Sequence, residues 1–383
     1  MDRLNRRQCL ITCATLMGSF SPKMSKSETG LKNWFELPEG GTDSVRTIQP
    51  APERLVVDGK IRAGLFETPP KNANLLDAEM FRGPRAAWRR KRLMEWFGYG
   101  IITENWYLGM IIIDAKLVPI STVYVVDRRN GESFSHNLAA GRVSVAGGPW
   151  DDRTWAKGPG YYLEFTHNLE RGKNGIRFDL RALGKPHMKG ELELTEDMER
   201  LPSLSAVIPT QPPHFFYTHK ACMPVGGTVD IGDEKVTLDP SRDLANLDEH
   251  RNYAQAPALW AWGTGAVQRG EGGLIAFNLG DTGGVDQDHW NENCLWIGNR
   301  MELLGPVEWS HNPKNPHEQW NVREVNGRVN MTFTPQNGKI VKLPPLGSYY
   351  QMAGAYNGFI IDEGGTRHQI VDVYGCAENG AIG

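Results

Sequence analysis

The sequence predicts an all-β protein whose antiparallel strands close into sandwiches or barrels. Three observations predict it. Residues 256–309 alternate large apolar side chains with small or polar ones. Trp260 and Trp262, then Leu274, Ala276 and Asn278, then Cys294 and Trp296 keep the period of two that sends neighbours to opposite faces of a strand. The 43 glycines among 383 residues exceed the usual share of ~7%, as many tight turns between short strands require. Only two segments, 85–96 and 243–256, offer even a short helical reading.

The elements follow in chain order. Paired arginines in Asn5-Arg6-Arg7-Gln8-Cys9-Leu10 precede an uncharged apolar run over 9–20. That run is too short to span a bilayer and resembles a twin-arginine export signal, which favours a periplasmic address. The alternative is a start at Met24 and a cytoplasmic protein, since no small-x-small cleavage site follows. Residues 1–52 therefore read as a signal-like segment plus a linker arm, without a core pattern and dispensable for folding. The basic stretch 85–96 carries Arg85, Arg89, Arg90, Lys91 and Arg92 beside Trp88 and Trp96. It reads as a solvated face lying over the barrel wall, with an anion contact as the sharper alternative.

Strand patterns begin near residue 98. Runs at 106–118 and 121–126 lead to Asn130-Gly131, a hairpin signal because both central positions of that turn need positive φ. Further runs at 160–165, 175–180 and 190–194 read as a meander. Residues 201–214 hold four prolines and mark the expected junction between a first barrel, 53–205, and a second, 206–383. The second continues through 228–231, 236–238, 256–309, 329–333, 340–343, 349–353 and 368–374. A faint echo links Trp96-Phe97-Gly98-Tyr99-Gly100 to Trp260-Ala261-Trp262-Gly263-Thr264-Gly265 and suggests duplicated barrels.

Composition excludes several classes. A net charge of −3 creates no field that recruits nucleic acid. Cys9, Cys13, Cys222, Cys294 and Cys376 are scattered and form no CxxC pair, which argues against a disulfide framework or a zinc ribbon. No segment suits a stable membrane span. No nucleophile elbow, Walker or dinucleotide fingerprint appears, so no cofactor is expected. Nothing in the pattern sets an oligomeric state.

A family resemblance rests on particular residues. Trp88 with Arg89-Arg90-Lys91-Arg92, Tyr217-Thr218-His219-Lys220, Trp260-Ala261-Trp262-Gly263, Asn278-Leu279-Gly280 and Glu292-Asn293 are similar to the bacterial domain of unknown function 2804 family. So are Trp320 with Val322, Thr332-Phe333-Thr334-Pro335, Gln351 with Gly354, and Gly375 with Glu378. The match runs from about Pro52 to Glu378. That family resembles tandem lipocalin-type, or calycin, proteins such as carotenoid 1,2-hydratases and tocopherol cyclase-like proteins. The resemblance implies two lipocalin-like barrels side by side and few short helices, but no settled chemistry. Asn291 departs from the Thr that tends to precede the Glu-Asn pair, which puts a direct role for it in doubt.

Candidate chemistry centres on Glu292, between Trp290 and Trp296. Burial against aromatics raises a carboxyl's pKa and makes it a proton donor, the logic of a hydratase or cyclase. A turn-capping carboxylate is the plain alternative. Asp248 with His250 could supply a base, or be an ordinary salt-bridged loop. Tyr217, His219 and Lys220, with Trp260, Trp262, Asn278, Asn293 and Trp296, are the expected ligand contacts of a cleft between barrels. Asp281, Asp286, Asp288 and His289 crowd one loop but lack the Gly and distal Glu of a calcium loop, so no metal is expected. Two functions follow: acid catalysis on a hydrophobic isoprenoid- or lipid-like small molecule as hydratase, cyclase or isomerase, or non-catalytic lipid binding and carriage.

Overall fold

The computed structural model describes residues 28–270, 273–343 and 347–382; the paired arginines and the apolar run after them lie outside the described residues. The protein is all-β, with helices as short as Glu28–Lys32 and Ala86–Arg90. Two large antiparallel sheets dominate. The central path of the first runs Arg142–Ser144, Asp152–Gly158, Tyr161–Asn168, Lys173–Leu180, Met188–Thr195, Phe215–Ile231, Leu244–Tyr253, Met94–Ile102, Trp106–Asp114, Pro119–Asp127, Ser133–Asn137. Arg142–Ser144 packs back on Trp106–Asp114, so the sheet curls on itself. The second runs Arg300–Leu303, Cys294–Ile297, Gly273–Asp281, Ala258–Arg269, Arg367–Ile382, Gly347–Ile361, Val329–Leu343, Trp320–Glu324, Val307–Ser310. It curls likewise, bringing Gly273–Asp281 against Val307–Ser310.

Three apolar cores result. Phe97, Leu163, Phe178 and Met223 fill the first curl, and Phe277, Val322, Phe333 and Tyr356 the second. The third is shared: Phe216, Cys222 and Leu244 of the first sheet join Trp262, Cys294 and Cys376 of the second. Strands at the centre of this junction are buried on both faces, as the first nine residues of Phe215–Ile231 show.

Four expectations change. The segment 243–256 is not a helix; Leu244–Tyr253 is a central strand paired on both sides. Its charged residues obscured the alternation, because both of its faces hold charges that the fold pairs internally. The proline-rich 201–214 is a hairpin rather than a junction. Leu204–Pro209 pairs with Phe215–Ile231 inside the first sheet, and the chain passes to the second sheet between Tyr253 and Ala258. The arm before residue 52 is not detached. Leu31, Phe35 and Val45 are buried in the shared core, and Ile48–Gln49 pairs with Gly64–Phe66. At the hairpin of Asn130-Gly131 only Gly131 takes positive φ (+78°), with its N–H on Asp127 O at 2.7 Å.

Candidate functional site

The site lies where the two sheets face each other. Alternation along Phe215–Ile231 sends Thr218 and Lys220 toward the second sheet, and along Leu244–Tyr253 it sends Asp248 and His250 the same way. Lys220 Nζ donates to Asp248 Oδ1 and stands 3.5 Å from Glu292 Oε2 of the opposing sheet. The same ammonium lies 4.6 Å from the centroid of the Trp262 ring, a cation–π contact. Burial would lower the lysine's pKa, but Asp248 and Glu292 outweigh it and hold the value above normal. Burial would likewise raise Asp248, but Lys220 and His250 hold it well below the usual carboxylate range.

His250 is locked by its surroundings. Its ring stacks on Trp96 with centroids 4.7 Å apart and planes 7° from parallel, and Phe216 covers it at 5.5 Å. Its Nε2 lies 3.0 Å from Thr218 Oγ1, 3.2 Å from Asp248 Oδ1 and 3.6 Å from Glu292 Oε2. Glu292 is 1% exposed, and neither of its carboxyl oxygens has a hydrogen-bond partner. Gly280 gives its carboxyl room, since a Cβ there would sit 3.0 Å from Glu292 Oε1. The expected aromatic setting of this acid is thus shared with the Lys220 ammonium and the His250 ring.

A second acid completes the site. Glu378, on Arg367–Ile382, accepts from Trp260 Nε1 (2.5 Å), Tyr349 OH (2.7 Å) and Gln351 Nε2 (3.0 Å). Desolvation and the neighbouring Asp248 charge outweigh these donors and push its pKa up to about 7. Tyr349 can donate to the carboxylate or accept from the acid, so both protonation states are satisfied. Glu378, Trp260, Tyr349 and Gln351 are only half-buried, and the Asp248 side chain is 22% exposed, so these residues form the solvent-facing side of the cluster, its mouth, and buried Glu292 the innermost side, its floor.

The two acids are held in equivalent ways. Trp96 pairs across the ladder with His250 and donates its indole N–H to Asp248, two residues earlier, at 3.0 Å. Trp260 pairs with Gly380 and donates to Glu378, again two residues earlier. The faint echo around Trp96 and Trp260 therefore marks matching tryptophan–carboxylate brackets, one on each sheet. Gly380 leaves room for the second bracket, because a Cβ there would lie 2.1 Å from the Trp260 ring.

Other expected contacts divide. Asn278 receives Trp262 Nε1 (2.8 Å) and donates to Glu292 O (2.8 Å), so it supports the floor. Asn293 binds Gly280 N and Gly305 O, and Trp296 donates to Pro202 O, so both act as scaffold. Asn291 ties that segment to the N-terminal arm by accepting from Arg46. Tyr217 and His219 sit on the face of their strand opposite Lys220: Tyr217 joins the core that the two sheets share, and His219 lies inside the first curl. There His219 lies 2.8 Å from Glu196 and 3.2 Å from Glu249, and Arg251 bridges Glu249 and Glu95. The loop carrying Asp286 and His289 forms an exposed pair at 3.0 Å. Among the described residues no three His, Cys, Asp or Glu side chains converge as metal ligands. Glu378 was quoted in the sequence only as part of a resemblance. Its signal is an acid set among small residues in Gly375-Cys376-Ala377-Glu378-Asn379-Gly380.

A family model described as a domain of unknown function (DUF2804) matches residues 46–381. The chain belongs to this family. Comparison with curated proteins gives no match. Among solved structures, this DUF2804 protein is similar to kievitone hydratase from Nectria haematococca, with 11% identity, 75% of this chain and 88% of that one covered, and a TM-score of 0.50. It is also similar to a protein described as an ATTH from Nitrosomonas europaea, at 14% identity, 76% and 93% coverage and a TM-score of 0.43. The first likeness establishes the fold: two curled antiparallel sheets of lipocalin-like, calycin type. Among the described residues no helix is long and apolar enough to cross a membrane.

Proposed function

We propose that this protein is an acid-catalysed hydratase, cyclase or isomerase acting on an unsaturated, largely apolar small molecule at the junction of its two sheets. The observation that carries the reading is the pair of bracketed carboxyls driven apart, Glu378 up to about 7 and Asp248 far down. Two neighbouring acids of opposed pKa assign an acid and a base. Glu378 donates its proton to one carbon of a double bond, leaving a carbocation at the other. The indoles of Trp96, Trp260 and Trp262 flank the cluster and offer π faces to that charge. Water, or a hydroxyl of the substrate, then adds to the cation and passes its proton to Asp248. Loss of a proton instead of addition gives isomerisation. Lys220 keeps Asp248 ionised for this step.

Hydratase chemistry is named for one fold neighbour, which shows that the architecture can host it; the assignment here rests on the residues. The test is turnover of candidate polyenes or prenylated phenols, followed by isotope uptake from heavy water. Glu378→Gln should lower the rate by about 10²–10⁴-fold with ligand affinity retained. A ligand bound equally well by the wild type and the variant, with no turnover by either, would mean a carrier. We also propose export through the arginine-paired leader, which N-terminal sequencing of the native protein tests.

A further inference from the structure

A cleft of about 400 Å³ opens at the seam of the two sheets, away from the Lys220–Asp248 pair. Ser133, Phe134 and Ser135 of the first sheet line one side, with Lys185 from the loop 181–187. Lys339 of Val329–Leu343 lines the other, and Tyr124 forms part of the wall. Two lysines face this space and no acidic side chain lines it. Lys185 Nζ donates to Ser135 O, and Lys339 Nζ to Asn137 Oδ1 at 2.9 Å, which leaves each ammonium further N–H donors. The Tyr124 ring closes the cleft toward the core that the two sheets share. Burial, and then the charge of Lys185, pulls Lys339 down to about 8, as expected of a cation that lacks a counter-charge.

We infer that this cleft binds an oxyanion, a carboxylate or a phosphate, between Lys185 and Lys339. The anion neutralises two like charges and accepts from the N–H donors that both ammonium groups have to spare. Its position relative to the proposed acid is set by strand register. Lys339 lies directly opposite Gln351, and Gln351 directly opposite Glu378, so the three side chains share one face in a row. Two inter-strand steps separate Lys339 from Glu378 along this row, about 10 Å. An anionic headgroup held in the cleft would let an apolar tail follow the row to Glu378. A free phosphate would occupy the cleft alone.

Calorimetric titration of the full chain with inorganic phosphate and with decanoate tests the inference and separates the two sources. Both anions should bind, and the double variant Lys185→Gln/Lys339→Gln should weaken each by about tenfold or more while its melting temperature holds. Decanoate binding tighter than phosphate identifies a headgroup; phosphate binding as tightly or tighter identifies a free anion. Absence of binding for both, or equal affinities in the wild type and the double variant, overturns the site. Glu378→Gln should keep the wild-type phosphate affinity, so failure of the acid chemistry and failure of the anion site are separately visible.

Discussion

Glu378 and Glu292 differ in what they can reach. The first sits at the half-buried mouth with three donors, and the second on the floor against Lys220 and His250. The acid must be protonated to act, so turnover should be constant well below pH 7 and fall as pH rises through about 7. A pH–rate profile measures this limb. Glu292→Gln should leave the limb in place, whereas Glu378→Gln should remove it with most of the activity. Survival of the limb in Glu378→Gln would give the acid's role to another residue. Trp260→Ala removes both a donor to Glu378 and an apolar wall. It should therefore weaken binding and also shift the limb.

At the scale of elements, two neighbouring strands work on both faces. Phe215–Ile231 and Leu244–Tyr253 turn Lys220, Asp248 and His250 toward the site and His219, Glu249 and Arg251 into the first curl. The inner network has its own pH signature. Burial would lower His219, but Glu196 and Glu249 outweigh it and raise the pKa to about 9, above the ordinary histidine value of 6.5. Its contribution to stability is therefore fully present below about 6.5 and lost as pH rises through about 9. Melting temperatures between pH 6 and 10 should show this loss in the wild type and not in His219→Gln. That variant leaves buried Glu196 without its charge partner, while Glu249 keeps Arg251, and should cost about 3–5 kcal/mol near neutrality by denaturant titration. On the second sheet, Gly380→Ala should displace the Trp260 indole and reproduce the loss of Trp260→Ala without altering any polar group.

The whole molecule is held by the core that the two sheets share with the N-terminal arm. Leu31, Phe35 and Val45 pack there, and Arg46 reaches across to Asn291 O (3.0 Å) and Leu304 O (2.7 Å). A chain beginning at Gln49 should consequently lose on the order of 5 kcal/mol, since several large buried side chains go at once. A fall in the denaturant midpoint measures it; an unchanged midpoint would restore the arm to a mere linker. Separating the chain between residues 253 and 258 should leave two fragments that each expose an apolar sheet face. Each should be aggregation-prone alone and recoverable only when both are produced together.

The sequence by itself determined the strand class and named several residues that the candidate site draws together. Period-two runs around Trp260, Leu274 and Trp296 needed no tertiary knowledge, because alternation is a local property of an extended chain. Lys220, Asp248, His250 and Glu292 are legible as polar groups set among aromatics, and the echo of Trp96 and Trp260 falls on the two strands that carry the tryptophan–carboxylate brackets. Only the tertiary structure decided which face each residue takes and which acid stands at the mouth. His219 and Lys220 are neighbours in sequence but lie on opposite sides of a sheet, and the face a strand buries depends on what packs against it. Leu244–Tyr253 looked too charged for a central strand because its counter-charges arrive from Glu95, His219 and Lys220, far away in the chain. Glu378 passed for one acid near a terminus. Its raised pKa comes from burial beside Asp248, 130 residues earlier, and no local pattern records a contact made across two sheets.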